Sequence, residues 1–188
     1  MNLGVIAEDD SDVEVLREIT LVLLKPQSVG FKKFVGDGCG KVRRKCGAWA
    51  ANLARQGCRW LVVVHDLDMH NEKELRSHLT NSIANVRTKA SIVLIPKREI
   101  EAWLLYDGKA IASAFREAQP PPLPGNPESL SDPKKHLRDL IWRRYGKRYL
   151  NTVHNPMIAK HIKTSLLKGS LSFKPHFEFV RRVKENLQ

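Results

Sequence analysis

The chain has 188 residues, 42% hydrophobic and 28% charged, so it is long enough to bury a core and too apolar to be disordered. No apolar run approaches the ~20 residues that cross a bilayer, and no basic segment of a signal peptide precedes the first apolar run. The three cysteines lack paired spacing, which predicts reduced thiols in a cytoplasmic protein. The net charge of +12 predicts a polyanionic partner, nucleic acid ahead of an acidic membrane surface.

Apolar runs alternate with helical patterns along the first part of the chain. The runs predict strands at 3–7, 60–65 and 91–95, and a moderate alternation of apolar and polar residues predicts another at 29–35. The first helix is predicted to begin at Ser11, with Glu14 closing a capping box, and later helices are predicted at 42–57, 71–86 and 98–107. This rhythm predicts an α/β, Rossmann-like fold with a mainly parallel four-stranded sheet flanked by helices.

The positive charge is concentrated after a Pro-rich break at 119–127. Residues 131–188 contain 14 Lys and Arg against 4 Asp and Glu, and helices are predicted there at 136–145, 156–167 and 173–186. The predicted organisation is therefore a metal-binding domain at 1–118, a Pro-rich linker or loop at 119–133, and a basic helical C-terminal extension at 134–188 that packs on the core.

Carboxylates follow two of the predicted strands. Glu8 follows the first strand in "VIAEDDSD", and Asp66 and Asp68 follow the third in "VVVHDLD". The carboxyl ends of parallel strands share one edge of a sheet, so these residues should meet, and extended chain would point Asp66 and Asp68 the same way. Close carboxylates resist ionisation unless they share a cation, and oxygen ligands favour Mg²⁺ or Mn²⁺. The pattern predicts metal-assisted phosphodiester chemistry.

These residues resemble the Toprim domain, which is recognised by a glutamate after its first strand and an Asp-x-Asp after its third. With "IPKREIEAWLLYD", residues 1–110 are similar to small bacterial Toprim-like proteins related to OLD-family nucleases. The resemblance implies that Asp66 and Asp68 bind metal and that Glu8 binds metal or acts as general acid or base. Asp9 stands where the family has a glycine.

The same resemblance implies further site residues and a biological role. Glu101 or Glu99 would complete a second metal site, and Lys97 would stabilise charge on the phosphate. The implied activity is that of a nuclease or nickase with one or two Mg²⁺ or Mn²⁺ ions. It implies defence against phage or mobile DNA, with an ABC-type ATPase as a possible partner. DNA is favoured over RNA as substrate, and a homo-oligomer is compatible with the pattern.

The stretch "WRRYGKRY", residues 142–149, interleaves aromatic rings with cations. Its rings could stack on bases while its cations bind phosphates, although an amphipathic helix packing Trp142 and Tyr145 inward would give the same pattern. Lys41, at the end of the glycine turn "GDGCGK", could also approach a phosphate backbone. The predicted nucleic-acid-binding residues are Lys41, Arg143, Arg144, Lys147, Arg148 and Tyr149.

Two other functions fit parts of the sequence. A response-regulator receiver would use Asp9 and Asp10 to bind Mg²⁺ and would be phosphorylated at Asp66. A receiver also needs a Ser or Thr after strand four and a lysine after a fifth strand, and neither pattern is present. The second alternative is a non-catalytic, nucleic-acid-binding partner subunit with the same fold.

Overall fold

A computed structural model describes residues 2–36 and 38–187. The strands are β1 Asn2–Ala7, β2 Gly30–Val35, β3 Cys58–Val64 and β4 Ala90–Leu94. The helices are α1 Asp10–Leu24, α2 Cys39–Arg55, α3 Glu72–Ile83, α4 Glu101–Leu104, α5 Gly108–Ala114, α6 Pro133–Tyr145, α7 Asn151–His161 and α8 Lys174–Glu185. Short 3-10 turns lie at Pro127–Ser129 and Leu166–Gly169. Among the described residues, no helix is both long enough and apolar enough to cross a membrane.

The four strands form one parallel sheet in the order β2-β1-β3-β4. The predicted α/β fold with a parallel four-stranded sheet and flanking helices is confirmed. From β1 the chain first adds β2 on one side and then β3 on the other, so the strand order reverses between β1 and β3. In open α/β sheets, ligands bind at such a reversal, outside the carboxyl ends of the strands.

Both faces of the sheet are covered, which explains why the central strands are apolar on both faces, apart from Asn2 and Arg59 near their starts. Val5 and Val62 point to the face covered by α1 and the C-terminal helices, whereas Ile6 and Val63 point to the face covered by α2 and α3. Burying each such side chain contributes about 1.5–3 kcal/mol. The core on the α1 side of the sheet also contains Phe173, so the basic C-terminal helices pack directly on the sheet domain.

Three helices differ from the sequence prediction. The helix predicted at 156–167 begins and ends earlier, as α7 at Asn151–His161. The first helix is capped by Asp9, not Ser11: the Asp9 carboxylate accepts from the backbone N–H of Asp12 at 3.0 Å, and the Asp12 carboxylate accepts from that of Asp9 at 3.2 Å. The single helix predicted at 98–107 is replaced by the short α4 and a separate α5. Asp107 separates them because its carboxylate caps the first turn of α5.

Candidate functional site

The site lies where β1 and β3 end beside each other. Glu8 is the first residue after β1, and Asp66 comes two residues after the end of β3. The backbone N–H of Asp66 donates to Oε1 of Glu8 at 2.9 Å. The two acidic residues predicted to meet at this edge of the sheet do meet there.

His65 holds Glu8 in place. Its ring is fully buried, and Nδ1 lies 2.7 Å from Oε1 of Glu8 and 2.8 Å from the carbonyl oxygen of Asp66. Burial by itself would lower the pKa of His65, but the hydrogen bond and negative charge of Glu8 outweigh it and raise the pKa. Nδ1 of His65 therefore faces two oxygen atoms, whereas its buried Nε2 has no hydrogen-bond partner among the described residues.

Asp66 lies among other carboxylates. Its Oδ1 is buried and has no hydrogen-bond partner within the described part of the chain. Burial raises the pKa of Asp66 well above its usual value, and the charges of Asp12, Glu101 and Glu8 raise it further. The pKa of Asp12, which lies buried on α1, is raised first by burial and then by Asp9 and Glu101. Glu8, Asp12, Asp66 and Glu101 are called the acidic cluster below.

Glu101 is fixed by residues from the C-terminal region. Only 3% of it is exposed, and its Oε1 accepts from Nδ2 of Asn155 at 3.0 Å and from the hydroxyl of Tyr149 at 3.3 Å. Nδ2 of Asn155 also donates to the hydroxyl of Ser11 at 2.8 Å. Tyr149 is buried, so its ring cannot stack on a base as predicted. It orients Glu101 instead.

Lys134, at the start of α6, brings a cation to the acidic cluster. Its Nζ lies 3.8 Å from Oε1 of Glu101. Burial lowers the pKa of Lys134, but the charges of Glu101, Asp9 and Glu99 outweigh burial and raise it. The backbone N–H of Lys134 donates to Oε2 of Glu99 at 2.8 Å. Of the two glutamates predicted to complete a metal site, Glu101 therefore lies in the cluster and Glu99 binds the N-terminus of α6.

Asp68 leaves the extended path that the sequence predicted. Its φ is +45°, so Asp66 is largely buried whereas Asp68 is exposed, and the expectation that both point the same way is wrong. Arg98 is also left-handed, with φ of +62°. The guanidinium of Arg98 donates to the carbonyl oxygen of Asp68 at 2.6 Å. In return, the backbone N–H of Asp68 donates to the carbonyl oxygen of Arg98 at 3.2 Å. These two strained positions hold their loops together.

A groove of about 510 Å³ begins at these two loops. Asp68, His70, Lys97 and Arg98 line one side, and the segment around Ser129 lines the other. Nζ of Lys97 is paired with Oε2 of Glu72 at 2.9 Å, which holds the lysine along the groove wall. The groove thus joins two carboxylates, Asp68 and Glu128, with the positive charges of Lys97 and Arg98, which could contact a phosphate backbone.

The predicted basic residues of the C-terminal region divide into two groups. Arg143 and Arg144 are exposed on α6, and Arg148 is exposed just beyond the end of that helix. Lys147 instead pairs with Glu117 at 2.6 Å and donates to a backbone carbonyl. The three arginines are therefore available to a partner, whereas Lys147 stabilises the fold.

Lys41 lies in the first turn of α2, at the same edge of the sheet as Glu8. The glycine turn before it contacts this edge directly, because the backbone N–H of Gly38 donates to the carbonyl oxygen of Glu8 at 3.3 Å. Gly38 has φ of +121°, a conformation that favours glycine. Asp37, within this turn, lies outside the described residues.

The acidic cluster fits a hard divalent cation by its chemistry. Its oxygen donors are those that Mg²⁺ and Mn²⁺ prefer, and the unpartnered Oδ1 of Asp66 provides a buried acceptor. Within residues 2–36 and 38–187, no three His, Cys, Asp or Glu side chains are already arranged to hold a metal ion. Binding would therefore require these carboxylates to draw together.

The geometry does not favour a receiver. Asp9 caps α1, and Oδ1 of Asp10 pairs with Nζ of Lys33 at 2.5 Å on an exposed surface. The charges that act on Asp66 come from Asp12, Glu101, Glu8 and Asp68, not from the pair that a receiver would use.

Sequence reasoning missed two members of the site, Asp12 and Lys134. From the sequence, Asp12 was interpreted as an acidic residue in the first turn of its helix, where a negative charge suits the helix dipole, and Lys134 as part of the basic extension. Asp9 and Asp12 are also separated by the spacing of a capping box. A helix predicted to begin at Asp9, two residues before Ser11, would have placed Asp12 on the buried side. No local pattern indicates Lys134, because its contact with Glu101 joins distant parts of the chain.

Comparison with known proteins gave one family. No match was found among curated proteins or among solved structures. The family described as "Domain of unknown function (DUF4276)" matches residues 9–178. This match runs from α1 through the Pro-rich segment into α8, so the family unit includes the C-terminal region that contributes Lys134, Tyr149 and Asn155 to the site. The chain belongs to the DUF4276 family.

Proposed function

We propose that this protein is a Mg²⁺- or Mn²⁺-dependent nuclease or nickase that acts at the acidic cluster. The observation that carries the proposal is the environment of Asp66: a buried oxygen without a hydrogen-bond partner, among carboxylates that raise its pKa. Such a site is electrostatically unfavourable unless a proton or a cation joins it. Its place at the reversal of the strand order is where α/β proteins bind ligands.

The residues of the cluster would have separate tasks. Asp66, Asp12 and Glu101 would hold one or two ions. Asp68, which is exposed beside them, would face the substrate. A bound divalent ion would neutralise charge that develops on a phosphodiester during hydrolysis. Glu8, held by His65, is placed to accept a proton.

Basic side chains beside the cluster would bind the substrate. Lys97 and Arg98 line the groove next to Asp68, where they would hold phosphates of the strand on either side of the reacting bond. Lys134 would balance the negative charge of the cluster before the ion binds. The exposed Arg143, Arg144 and Arg148 would add sequence-independent affinity for nucleic acid.

The resemblance to Toprim-like nucleases extends the proposal to biology. It supports action on DNA ahead of RNA, in defence against phage or mobile DNA, with an ABC-type ATPase as partner and with self-association possible. A cytoplasmic location is part of the proposal, and the free, buried thiols of Cys46 and Cys58 suit a reducing compartment.

The test is cleavage of supercoiled plasmid, linear duplex and folded RNA with Mn²⁺, Mg²⁺ or EDTA. Asp66→Asn removes one charge from the cluster and should lower the rate on the order of 100-fold or more. Asp10→Asn is the matched control, because Asp10 is an exposed carboxylate outside the cluster, and its rate should match that of the wild type. A wild-type protein that cleaves none of these substrates would contradict the proposal, and nucleic-acid binding without cleavage would favour the non-catalytic subunit.

A further inference from the structure

Trp142 differs from the other three tryptophans in its exposure. Trp60 and Trp103 are buried, and Trp49 is half-buried and stacked on Phe34 with ring centroids 5.5 Å apart. Trp142 is 64% exposed on α6, and its indole makes no hydrogen bond or ring contact with any described residue. An exposed indole offers a face on which a base can stack.

The indole of Trp142 lines a groove of about 490 Å³. Arg138 and Trp142 contribute from α6, and Arg148, Tyr149 and Leu150 contribute from the segment between α6 and α7. Arg148 has no ion-pair partner in the described part of the chain, and the only partner of Arg138 there is the neighbouring Asp139, at 3.4 Å. Asp139 also lines the groove, which therefore combines a free aromatic face with the guanidinium of Arg148 and with that of Arg138, which an anion would share with Asp139.

Helix α6 connects this groove with the acidic cluster. Lys134, at one end of α6, lies against Glu101, and Trp142 is eight residues further along, about 12 Å at the helical rise. Arg138 lies midway between them, and the spacing of four residues places Lys134, Arg138 and Trp142 on one face of α6. A polymer bound in the groove can therefore extend along this face toward the cluster. Tyr149, which also lines the groove, has its hydroxyl 2.5 Å from Oδ1 of Asn155 and 3.3 Å from Oε1 of Glu101.

We propose that this groove binds an unpaired stretch of nucleic acid, with a base stacked on Trp142 and the flanking phosphates bound by Arg138 and Arg148. A single strand offers both a free base face and phosphates, whereas paired bases inside a duplex have no free face to stack on an exposed indole. The charge of the groove suits a polyanion and opposes a basic or neutral peptide.

The inference rests on the proposed function in one respect: it makes single-stranded segments the substrate class of the nuclease. The distance of about 12 Å along α6 corresponds to roughly three to four stacked nucleotides between the base on Trp142 and the strand at the acidic cluster. Flaps, gaps and loops would then be favoured over uninterrupted duplex.

The test measures binding of the full chain in EDTA, so that no cleavage is needed. The probes are a labelled oligothymidylate, an abasic strand of the same length, and a duplex of the same length. Trp142→Ala should weaken binding of oligothymidylate by about 5- to 150-fold and leave the abasic strand and the duplex unchanged. Trp142→Phe should retain most of the affinity, whereas Trp142→Leu should lose as much as Trp142→Ala. Arg148→Ala should weaken binding of all three probes.

The outcomes of this test either support or overturn stacking of a base on Trp142. Equal affinity of wild type and Trp142→Ala for oligothymidylate overturns the proposal, and so does full retention by Trp142→Leu, which would indicate an apolar docking surface. Because the variants change an exposed side chain, circular dichroism should show an unchanged fold. Stacking without any metal-dependent cleavage would support this groove and remove the nuclease proposal. Metal-dependent cleavage by the wild type, together with normal binding by the Trp142 variants, would support the nuclease proposal and overturn the proposal for this groove.

Discussion

Arg98 holds a backbone conformation that an L-residue with a side chain adopts at a cost of about 1–2 kcal/mol. Arg98→Gly and Arg98→Ala both remove the hydrogen bond to the carbonyl of Asp68, but only glycine relieves the left-handed strain. Urea unfolding should therefore show Arg98→Gly to be more stable than Arg98→Ala by about 1 kcal/mol. Arg116, with φ of +56° and outside the site, provides a matched pair of substitutions. A glycine advantage at Arg116 but not at Arg98 would contradict the strain assigned to the site.

Single residues of the site were predictable where a strand places them. Glu8 and Asp66 follow apolar runs that could only be buried strands, so their meeting followed from the rules of parallel sheets. The turn at Asp68 was not predictable, since a non-glycine residue with positive φ has no sequence signature here. Tyr149 was misread because its pattern of aromatic and basic neighbours suits a surface, whereas its hydroxyl binds Glu101, 48 residues away.

At the scale of elements, the start of α1 carries a direct test. Asp9→Ala removes the carboxylate that accepts from the N–H of Asp12, so it should lower the free energy of unfolding by about 1 kcal/mol. Asp9→Asn keeps an acceptor and should lose less than half as much. Glu14→Ala is the control, because the sequence placed Glu14 in the capping box while the structure places it beside Arg17. If Glu14→Ala lowered the free energy of unfolding in urea more than Asp9→Ala, the result would contradict Asp9 as the cap and support Ser11.

The elements themselves were largely readable from the sequence, but their arrangement was not. All four strands were predicted: three are short apolar runs between polar turns, and β2, which contains Lys32 and Lys33, showed a moderate alternation of apolar and polar residues. Helix α5 was missed, since its small residues continue the apolar pattern of α4. The order β2-β1-β3-β4, and with it the place where the strand order reverses, depends on contacts between distant segments that no local pattern records.

At the scale of the whole molecule, His176 joins the C-terminal region to α1. Nε2 of His176 lies 3.1 Å from the hydroxyl of Thr20, and burial lowers the pKa of His176 from 6.5 to about 3. The unfolded chain binds this proton near pH 6.5 and the folded chain only near pH 3. Stability that is complete above pH 6.5 is thus lost as the pH falls, by at most ~1.4 kcal/mol per pH unit from this residue.

Urea unfolding of wild type and His176→Gln between about pH 7 and pH 5 measures this loss. The wild type should lose stability relative to the variant as the pH falls, because glutamine does not titrate. The comparison removes the contribution of carboxylates that titrate in both proteins. Parallel stability curves for the two proteins would show that folding does not shift the pKa of His176.

The central claim is that the acidic cluster binds a divalent cation, and thermal unfolding with EDTA or Mn²⁺ tests it most directly. In EDTA, Asp66→Asn should be at least as stable as the wild type, because it removes a buried charge that its neighbours repel. At Mn²⁺ concentrations about 100 times the dissociation constant, the wild type and Asp10→Asn should gain about 2.7 kcal/mol, and Asp66→Asn much less. Equal stabilisation of wild type and Asp66→Asn by Mn²⁺, or none of either, would contradict the account.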